Sequence, residues 1–334
     1  MAQSVKYLIT MGELKRKDNS LIFRNEKGHR YLPIEGVKEI YCLNEVSLNT
    51  KLLDFLAKAQ VTMHFFNYYH QYSGTFYPKE QLVSGRLLIQ QARLFDEHRI
   101  IVAKAIVQGI ANNIYSVLYH YYSHGAKELK PLIDWLRKNV PGLLSSSDLK
   151  INQVLFIEGT IWKRFYQSFK YFLPETFLMN KRVKRPPDNP MNAMISFGNS
   201  LLYAKTITQI YHTHLDQKIS FLHDPGEGRF SLSLDLCEVF KPIIVYKTIF
   251  ELVNHRKIQV GRHFDKELNY CLLNRAGKTA FIKAFDSRIN ETFQHATLKR
   301  KVSYQTAIKL DAYKLIKLCV EGQAFKPFDF REKC

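Results

Sequence analysis

The stretch YPKEQLVSGRLLIQQARLF, Tyr77 to Phe95, separates two kinds of pattern along the chain. Before it, from Lys6 to about Tyr77, short alternating segments (KYLIT, SLIFRN, HRYLPI, VKEIYCL) are divided by turn residues in DNS and NEKGH, the period of half-buried strands. From about Gly85 the period lengthens: Leu87, Leu88, Gln91, Leu94 and Phe95 form a helical stripe, which Ile101, Ala105, Ile106, Ile110 and Val117 continue. Gly74 and Pro78 punctuate the change. The fold class that follows is α+β, with a small N-terminal antiparallel β domain over residues 1–77, a linker over 78–90, and a larger, mostly α-helical domain over 91–334. Inside the β domain, Asn49 to Ala59 reads as an amphipathic helix with Leu52, Leu53, Leu56 and Ala59 on one side, and VTMHFFNYY as a buried strand. KYLIT and SLIFRN offer strand edges that so small a domain can hardly cover alone, which predicts a homodimer paired through the β domain.

Composition narrows the class of function. The 334 residues are 46% hydrophobic, enough for packed cores without staples. Cys42, Cys237, Cys271, Cys319 and Cys334 are scattered, odd in number and without a Cys-x-x-Cys pair, so neither a disulfide framework nor a zinc site is encoded. A reducing, cytoplasmic setting fits. No signal-peptide pattern opens the chain and no apolar run reaches the roughly 18 residues of a membrane span, so no membrane partner is expected. Formal net charge is +19, from 49 Lys and Arg against 30 Asp and Glu. Residues 1–75 hold 10 basic and 7 acidic groups, which leaves 39 minus 23, or +16, for the rest. A soluble protein that basic neutralises phosphates, and here the helical part carries the surface.

Acids of the right type sit inside that basic region. FLHDPGEGRFSLSLDLCEVFKP, Phe221 to Pro242, sets His223, Asp235 and Glu238 around an apolar strand-like core, and Glu158 lies upstream in the amphipathic helix VLFIEGTIWKRFYQSF, with Leu155, Ile161, Trp162 and Phe165 as its core positions. An imidazole with carboxylates suits Mg²⁺ or Mn²⁺. The spacing has a plainer explanation: Asp-x-x-Glu after an apolar stretch is also a capping box with Asp235 as N-cap, and spacing alone favours the cap. Between Thr160 and Pro186, seven basic residues (Lys163, Arg164, Lys170, Lys181, Arg182, Lys184, Arg185) face one acid, Glu175, with aromatics such as Tyr166 interleaved. Such a run neutralises backbone phosphates and stacks on bases where its rings are exposed; as a core helix with a solvated basic face it does neither. KRVKRPPDNP is a loop, because its three prolines cannot sit inside a helix. A second basic run, Arg275 to Lys301, contains GKT at Gly277 to Thr279 without the upstream glycine of a phosphate-cradling loop, and no Gly-x-Ser-x-Gly elbow exists. ATPase and serine hydrolase readings are excluded.

Taken in order, these segments resemble the CRISPR-associated integrase family, the larger subunit of the spacer-acquisition machinery. Glu158-Gly159 is similar to the family's Glu-Gly helix, RPPDNPMNAMISFGNSLLY (Arg185 to Tyr203) to its Arg-Pro-Pro then Asn-Ala segment, and His223, Asp235 and Glu238 to its His then Asp-x-x-acid segment. GELKRKDNSLIF resembles its opening strands and YQTAIKLDAYKLIKLCVEG its closing helix. Two positions depart: Phe165, with Tyr166 beside it, and Asn199 stand where the family often has tyrosine. The resemblance implies a metal-dependent DNA integrase and endonuclease that inserts short fragments into a CRISPR array. It implies Glu158, His223 and Glu238 as catalytic metal ligands for Mg²⁺ or Mn²⁺ and Asp235 as a supporting acid; DNA contacts are expected at Lys163, Arg164, Tyr166, Arg182, Lys184, Arg185 and Asn192. The implied partners are double-stranded DNA with single-stranded ends, CRISPR array DNA, a second copy of the chain in a homodimer, and a small ferredoxin-like CRISPR-associated protein. A metal-dependent nuclease on branched DNA repair intermediates and a non-catalytic nucleic-acid-binding scaffold remain open alternatives.

Overall fold

The computed structural model describes residues 4–332 other than 80, 81, 83 and 227–229. Its N-terminal strands form two four-stranded sheets. β1 (Ser4–Leu8), β5 (Val37–Cys42), β7 (Thr62–Phe66) and β8 (Tyr72–Phe76) lie in the order β1-β5-β7-β8; β2 (Gly12–Lys17), β3 (Ser20–Asn25), β4 (Gly28–Pro33) and β6 (Val46–Ser47) lie in the order β4-β3-β2-β6. The purely antiparallel domain expected from sequence is corrected here, since β1 and β7 both run parallel to β5, and β6 parallel to β2. Parallel neighbours need a long crossover, and the chain supplies them: the β2-β3-β4 meander separates β1 from β5, and α1 (Thr50–Lys58) separates β5 from β7. Alternation records which face a strand buries, not its direction. SLIFRN is likewise not an edge, because β3 is paired on both sides; the outer strands are β1 and β8 in one sheet and β4 and β6 in the other. Asn49 caps α1 by accepting from the Leu52 N–H at 2.9 Å, and the helix buries Leu52 and Leu56 against Leu14, Leu21, Ile40 and Met63.

The helical part opens with α2 (Gly85–Ser123), capped by Ser84, which takes in residues 85–90 of the expected linker. Its inward face holds Leu87, Gln91, Leu94, Val102, Ile106 and Ile110, whereas Leu88 and Ile101 are 44% and 63% exposed, so the buried stripe is narrower than the apolar pattern suggests. By length and composition α2 is apolar enough to cross a membrane, yet 56% of its most apolar stretch is buried inside the fold, as befits a central core helix. Around it lie α3 (Lys130–Asp134), α4 (Val140–Ser145), α5 (Ile151–Gln167), α6 (Pro190–Tyr211), α7 (Ser231–Lys241), α8 (Lys247–Asn254), α9 (Val260–His263), α10 (Arg275–Asn290) and α11 (Tyr304–Glu321). Hairpins β9 (Phe264–Lys266) with β10 (Cys271–Leu273) and β11 (Thr292–Gln294) with β12 (Lys301–Ser303) punctuate them.

The KRVKRPPDNP loop ends where Asn189 caps α6 and Pro190 fills its first turn, where its missing N–H costs nothing. Helix α6 is buried around almost its whole circumference and packs on α7, α11 and β10, which makes it the axis of the helical part. It also locks onto the sheets. Lys205 Nζ donates to Glu39 Oε1 at 2.8 Å with both side chains fully buried, and Tyr41 Oη donates to Glu39 Oε2 at 2.7 Å. Tyr41, Leu43 and Phe66 of the β part accordingly belong to the same apolar cluster as α2, α6, α7 and α8.

Candidate active site

The stretch from Phe221 to Pro242 is a loop followed by a helix. SLSLDL alternates like a strand, but Leu232, Leu236 and Val239 also recur at helical spacing, and α7 starts at Ser231 with all three buried. Asp235 therefore lies inside the helix and caps nothing at its start, which overturns the capping box. Its fully buried carboxylate instead gathers the loop: Oδ2 accepts from the N–H groups of Phe221 and Leu222 at 2.7 and 2.8 Å, and Oδ1 from the N–H of His223 at 3.0 Å and from its Nδ1 at 2.8 Å. Helix α2 braces the same loop. Arg99 Nε donates to the Phe221 carbonyl at 2.9 Å and its Nη2 pairs with Asp224, while Gln91 donates to the carbonyls of Asp216 and Ile219.

The result brings Glu158 of α5, His223 of the loop and Glu238 of α7 onto one cleft of about 510 Å³. Trp162 and Tyr166, one and two helical steps beyond Glu158, line it too, and Tyr166 Oη meets Tyr246 Oη at 2.8 Å. Burial, and then the negative charge of Glu238, push the Glu158 carboxyl up to about 7. Burial works to lower the His223 pKa, but the hydrogen bond and charge of Asp235 outweigh it and the net shift is upward. Glu238 turns its Oε1 to Lys241 Nζ, which is three residues on and on the same face of α7. That pairing holds the Lys241 pKa above its ordinary value against burial.

The donor set suits a divalent ion: two carboxylates, and one imidazole whose Nδ1 is engaged so that Nε2 is the nitrogen on offer. As they stand, no three His, Cys, Asp or Glu side chains among the described residues are close enough together to hold an ion, and Glu238 is the member already paired, with Lys241. Sequence reasoning missed Lys241, although its spacing from Glu238 was the available signal.

The basic residues divide. Lys163, Arg182 and Lys184 line the cleft with Tyr166, and Lys181 joins them. The Lys184 pKa is lowered by burial and then by the neighbouring positive charges of Lys241 and Arg182, a mark of how densely cations crowd here. Arg182 spends its guanidinium internally, on the Val183 carbonyl, Asn192 Oδ1 at 3.1 Å and Ser196 Oγ at 2.8 Å. Arg185 lines an adjoining cavity of about 340 Å³ that shares Arg182, Lys184, Asn199 and Lys241 with the cleft. Arg164 faces another recess, its guanidinium 4.1 Å from the Trp135 ring centroid. Asn192 is the misplaced one: it is fully buried, and its amide donates to the Lys181 carbonyl and Asp188, so it shapes the loop from inside and offers no surface to DNA. Phe165 is fully buried, while Tyr166 stands at the cleft, and the Asn199 Oδ1 there is buried without a hydrogen-bond partner among the described residues.

Residues 6–287 match the family model described as CRISPR associated protein Cas1. A CRISPR-associated protein Cas1 of Methanobrevibacter ruminantium is 42% identical, with 98% of this chain and 99% of that protein aligned. A CRISPR-associated endonuclease Cas1 of Thermodesulfovibrio yellowstonii is also 42% identical, over 96% and 97%. The solved structure of a Cas1 protein from Thermotoga maritima superposes with a TM-score of 0.85 at 36% identity, covering 96% of this chain and 98% of that one. The chain belongs to the Cas1 family of CRISPR-associated proteins.

Proposed function

We propose that this protein is a metal-dependent DNA endonuclease and integrase of CRISPR adaptation, inserting short DNA fragments into a CRISPR array by transesterification. The observation that carries the reading is the convergence of Glu158, His223 and Glu238 on one cleft ringed by Lys163, Lys181 and Lys184. Relatives named as Cas1 endonucleases match it over nearly their whole length.

Glu158, Glu238 and the Nε2 of His223 would hold Mg²⁺ or Mn²⁺, with Glu238 leaving Lys241 to do so. Bound there, the ion supplies a Lewis acid at the scissile phosphate and a counter-charge for the transition state. Asp235 is a positioning residue: it accepts the Nδ1 proton of His223, fixing the tautomer and the ring. Lys163, Lys181 and Lys184 neutralise the flanking phosphates. The 3′-hydroxyl of the incoming fragment attacks the array phosphorus, a new P–O bond forms, and the displaced strand leaves with a 3′-hydroxyl. No covalent enzyme intermediate is required. With water as the attacker the same site cuts DNA.

The partners in this reading are double-stranded DNA with single-stranded ends, CRISPR array DNA, a small ferredoxin-like CRISPR-associated protein, and a second copy of the chain. The outer strands β1 and β4 support the last, with Tyr31 on β4 54% exposed. The deciding experiment mixes fragment and array-bearing plasmid with and without Mn²⁺. Covalent joining that needs the ion and disappears in His223→Ala supports the reading; metal-independent binding with no joining or cutting would leave a scaffold. Light scattering at micromolar concentration tests the homodimer, and a monomer there removes it.

A further inference from the structure

A separate cavity, of about 470 Å³, shares no lining residue with the candidate active site among the described residues. It opens where the β7-β8 turn meets the β9-β10 hairpin and the start of α10, and Tyr68, His70, Tyr270, Arg275 and Lys278 line it. Lys278 is only 8% exposed. Its ammonium lies 3.3 Å from His70 Nε2, and among the described residues it has no ion pair within 4.0 Å. Burial and then the Lys278 charge hold the His70 ring down at about 3, so the ring is neutral and Nε2 accepts one of the three ammonium protons. A neutral ring does not cancel a buried positive charge, which is costly until an anion meets it. The cavity's own carboxylates, Glu45 and Asp265, are exposed, and Asp265 acts on Lys278 from beyond ion-pair distance.

Two further features converge. Asn274 caps α10 by accepting from the Gly277 N–H at 2.9 Å, so the 16-residue helix points its positive end at the same space, with Arg275 in its first turn. Gly277 permits this placement: a Cβ there would meet the His263 carbonyl oxygen at 2.2 Å. At the mouth, Tyr68 is 69% exposed and stands edge-on to Tyr270, ring centroids 6.2 Å apart and hydroxyls at 3.1 Å. A buried cation, a helix start and an exposed aromatic pair around a space of this size suit a phosphate joined to a flat ring.

We propose that this cavity binds a nucleoside monophosphate group, with the phosphate against Lys278, Arg275 and the first turn of α10 and the base against Tyr68 and Tyr270. Its source is either a free nucleotide or the 5′-phosphorylated end of a DNA strand. The site does not depend on the metal cleft, so its test runs in EDTA and its failure leaves the proposed chemistry untouched. The full-length protein is titrated calorimetrically with dAMP and with one short single strand carrying a 5′-phosphate or a 5′-hydroxyl. A strand end as ligand gives about tenfold or more tighter binding of the phosphorylated strand, and Lys278→Met erases that preference. A free nucleotide as ligand gives dAMP binding that Lys278→Met weakens by the same factor. Tyr68→Ala, an exposed position that keeps the test available if Lys278→Met does not fold, weakens whichever ligand binds by about fivefold or more. Equal binding of both strands together with no binding of dAMP overturns the proposal, as does binding that neither substitution alters.

Discussion

Oδ1 of Asp235 stands 2.8 Å from Nδ1 of His223, and the same carboxylate takes the main-chain N–H groups of Phe221, Leu222 and His223. One buried side chain thus closes the loop and aims the imidazole. Asp235→Asn keeps the shape but turns an NH₂ towards donors that need an acceptor, so it should destabilise the fold by about 2–3 kcal/mol. Metal affinity should fall by about 10–100-fold, as when an imidazole loses its orienting partner. Chemical denaturation and Mn²⁺ titration read the two effects; unchanged values in both would remove the positioning role.

His223→Ala should abolish strand joining while DNA binding stays within about twofold, because a ligand is removed from the chemistry and the phosphate-binding surface is left intact. Lys163→Glu with Lys184→Glu should do the reverse. Both side chains are exposed at the cleft, so binding to any sequence should weaken, and the log–log salt slope should flatten by about 0.9 for each phosphate that is no longer neutralised. Equal loss of binding and joining in His223→Ala would favour the scaffold. Arg182 is a poor probe for this purpose, since its guanidinium holds the loop to α6.

What the sequence disclosed depended on the range of the interaction. The strands of the N-terminal part and helices α1, α2 and α5 were legible from periodicity, because such signals lie within one or two turns, whereas the alternation of SLSLDL hid helix α7. Strand direction was not, since β1 meets β5 only after a meander has intervened. Glu158, His223 and Glu238 were readable by residue type and by family resemblance, and so was Asp235 as a supporting acid; the cap that spacing alone favoured for it fails because its partners lie 12 to 14 residues away across a loop. Asn192, in the Asn-Ala segment of the resemblance, was expected to touch DNA, and only packing shows that its amide faces inward.

Glu39 and Lys205 join β5 to α6 in a fully buried ion pair. Breaking such a pair from one side leaves a lone buried charge, so Glu39→Gln or Lys205→Met alone should cost about 3–5 kcal/mol. The double variant should recover much of that loss, because neither charge then needs a partner. Urea denaturation of the full cycle gives the coupling directly. Additive losses would mean that the two residues act separately and that the pair does not fasten the sheets to the helical part.

The same junction should make stability depend on acid. His64 is fully buried beside Lys205, its Nδ1 2.8 Å from Thr75 Oγ1 and its Nε2 2.8 Å from Thr208 Oγ1. Burial, then the charge of Lys205, lower its pKa to about 3 from an ordinary 6.5. The folded protein therefore keeps the ring neutral over a range in which the unfolded chain protonates it. The contribution is fully present above pH 6.5, shrinks as pH falls, and is gone near pH 3, at about 1.4 kcal/mol for each pH unit in between. Between pH 6.5 and 5, where most carboxylates are still ionised, Tm should drop measurably, and His64→Gln should flatten that drop even though it lowers Tm at neutral pH. His70 and His212, lowered by burial to about 3 and about 4, add slopes of the same sign. A Tm that stays level across that window, or a His64→Gln profile parallel to the parent's, would show that His64 is not kept neutral by its burial against α6.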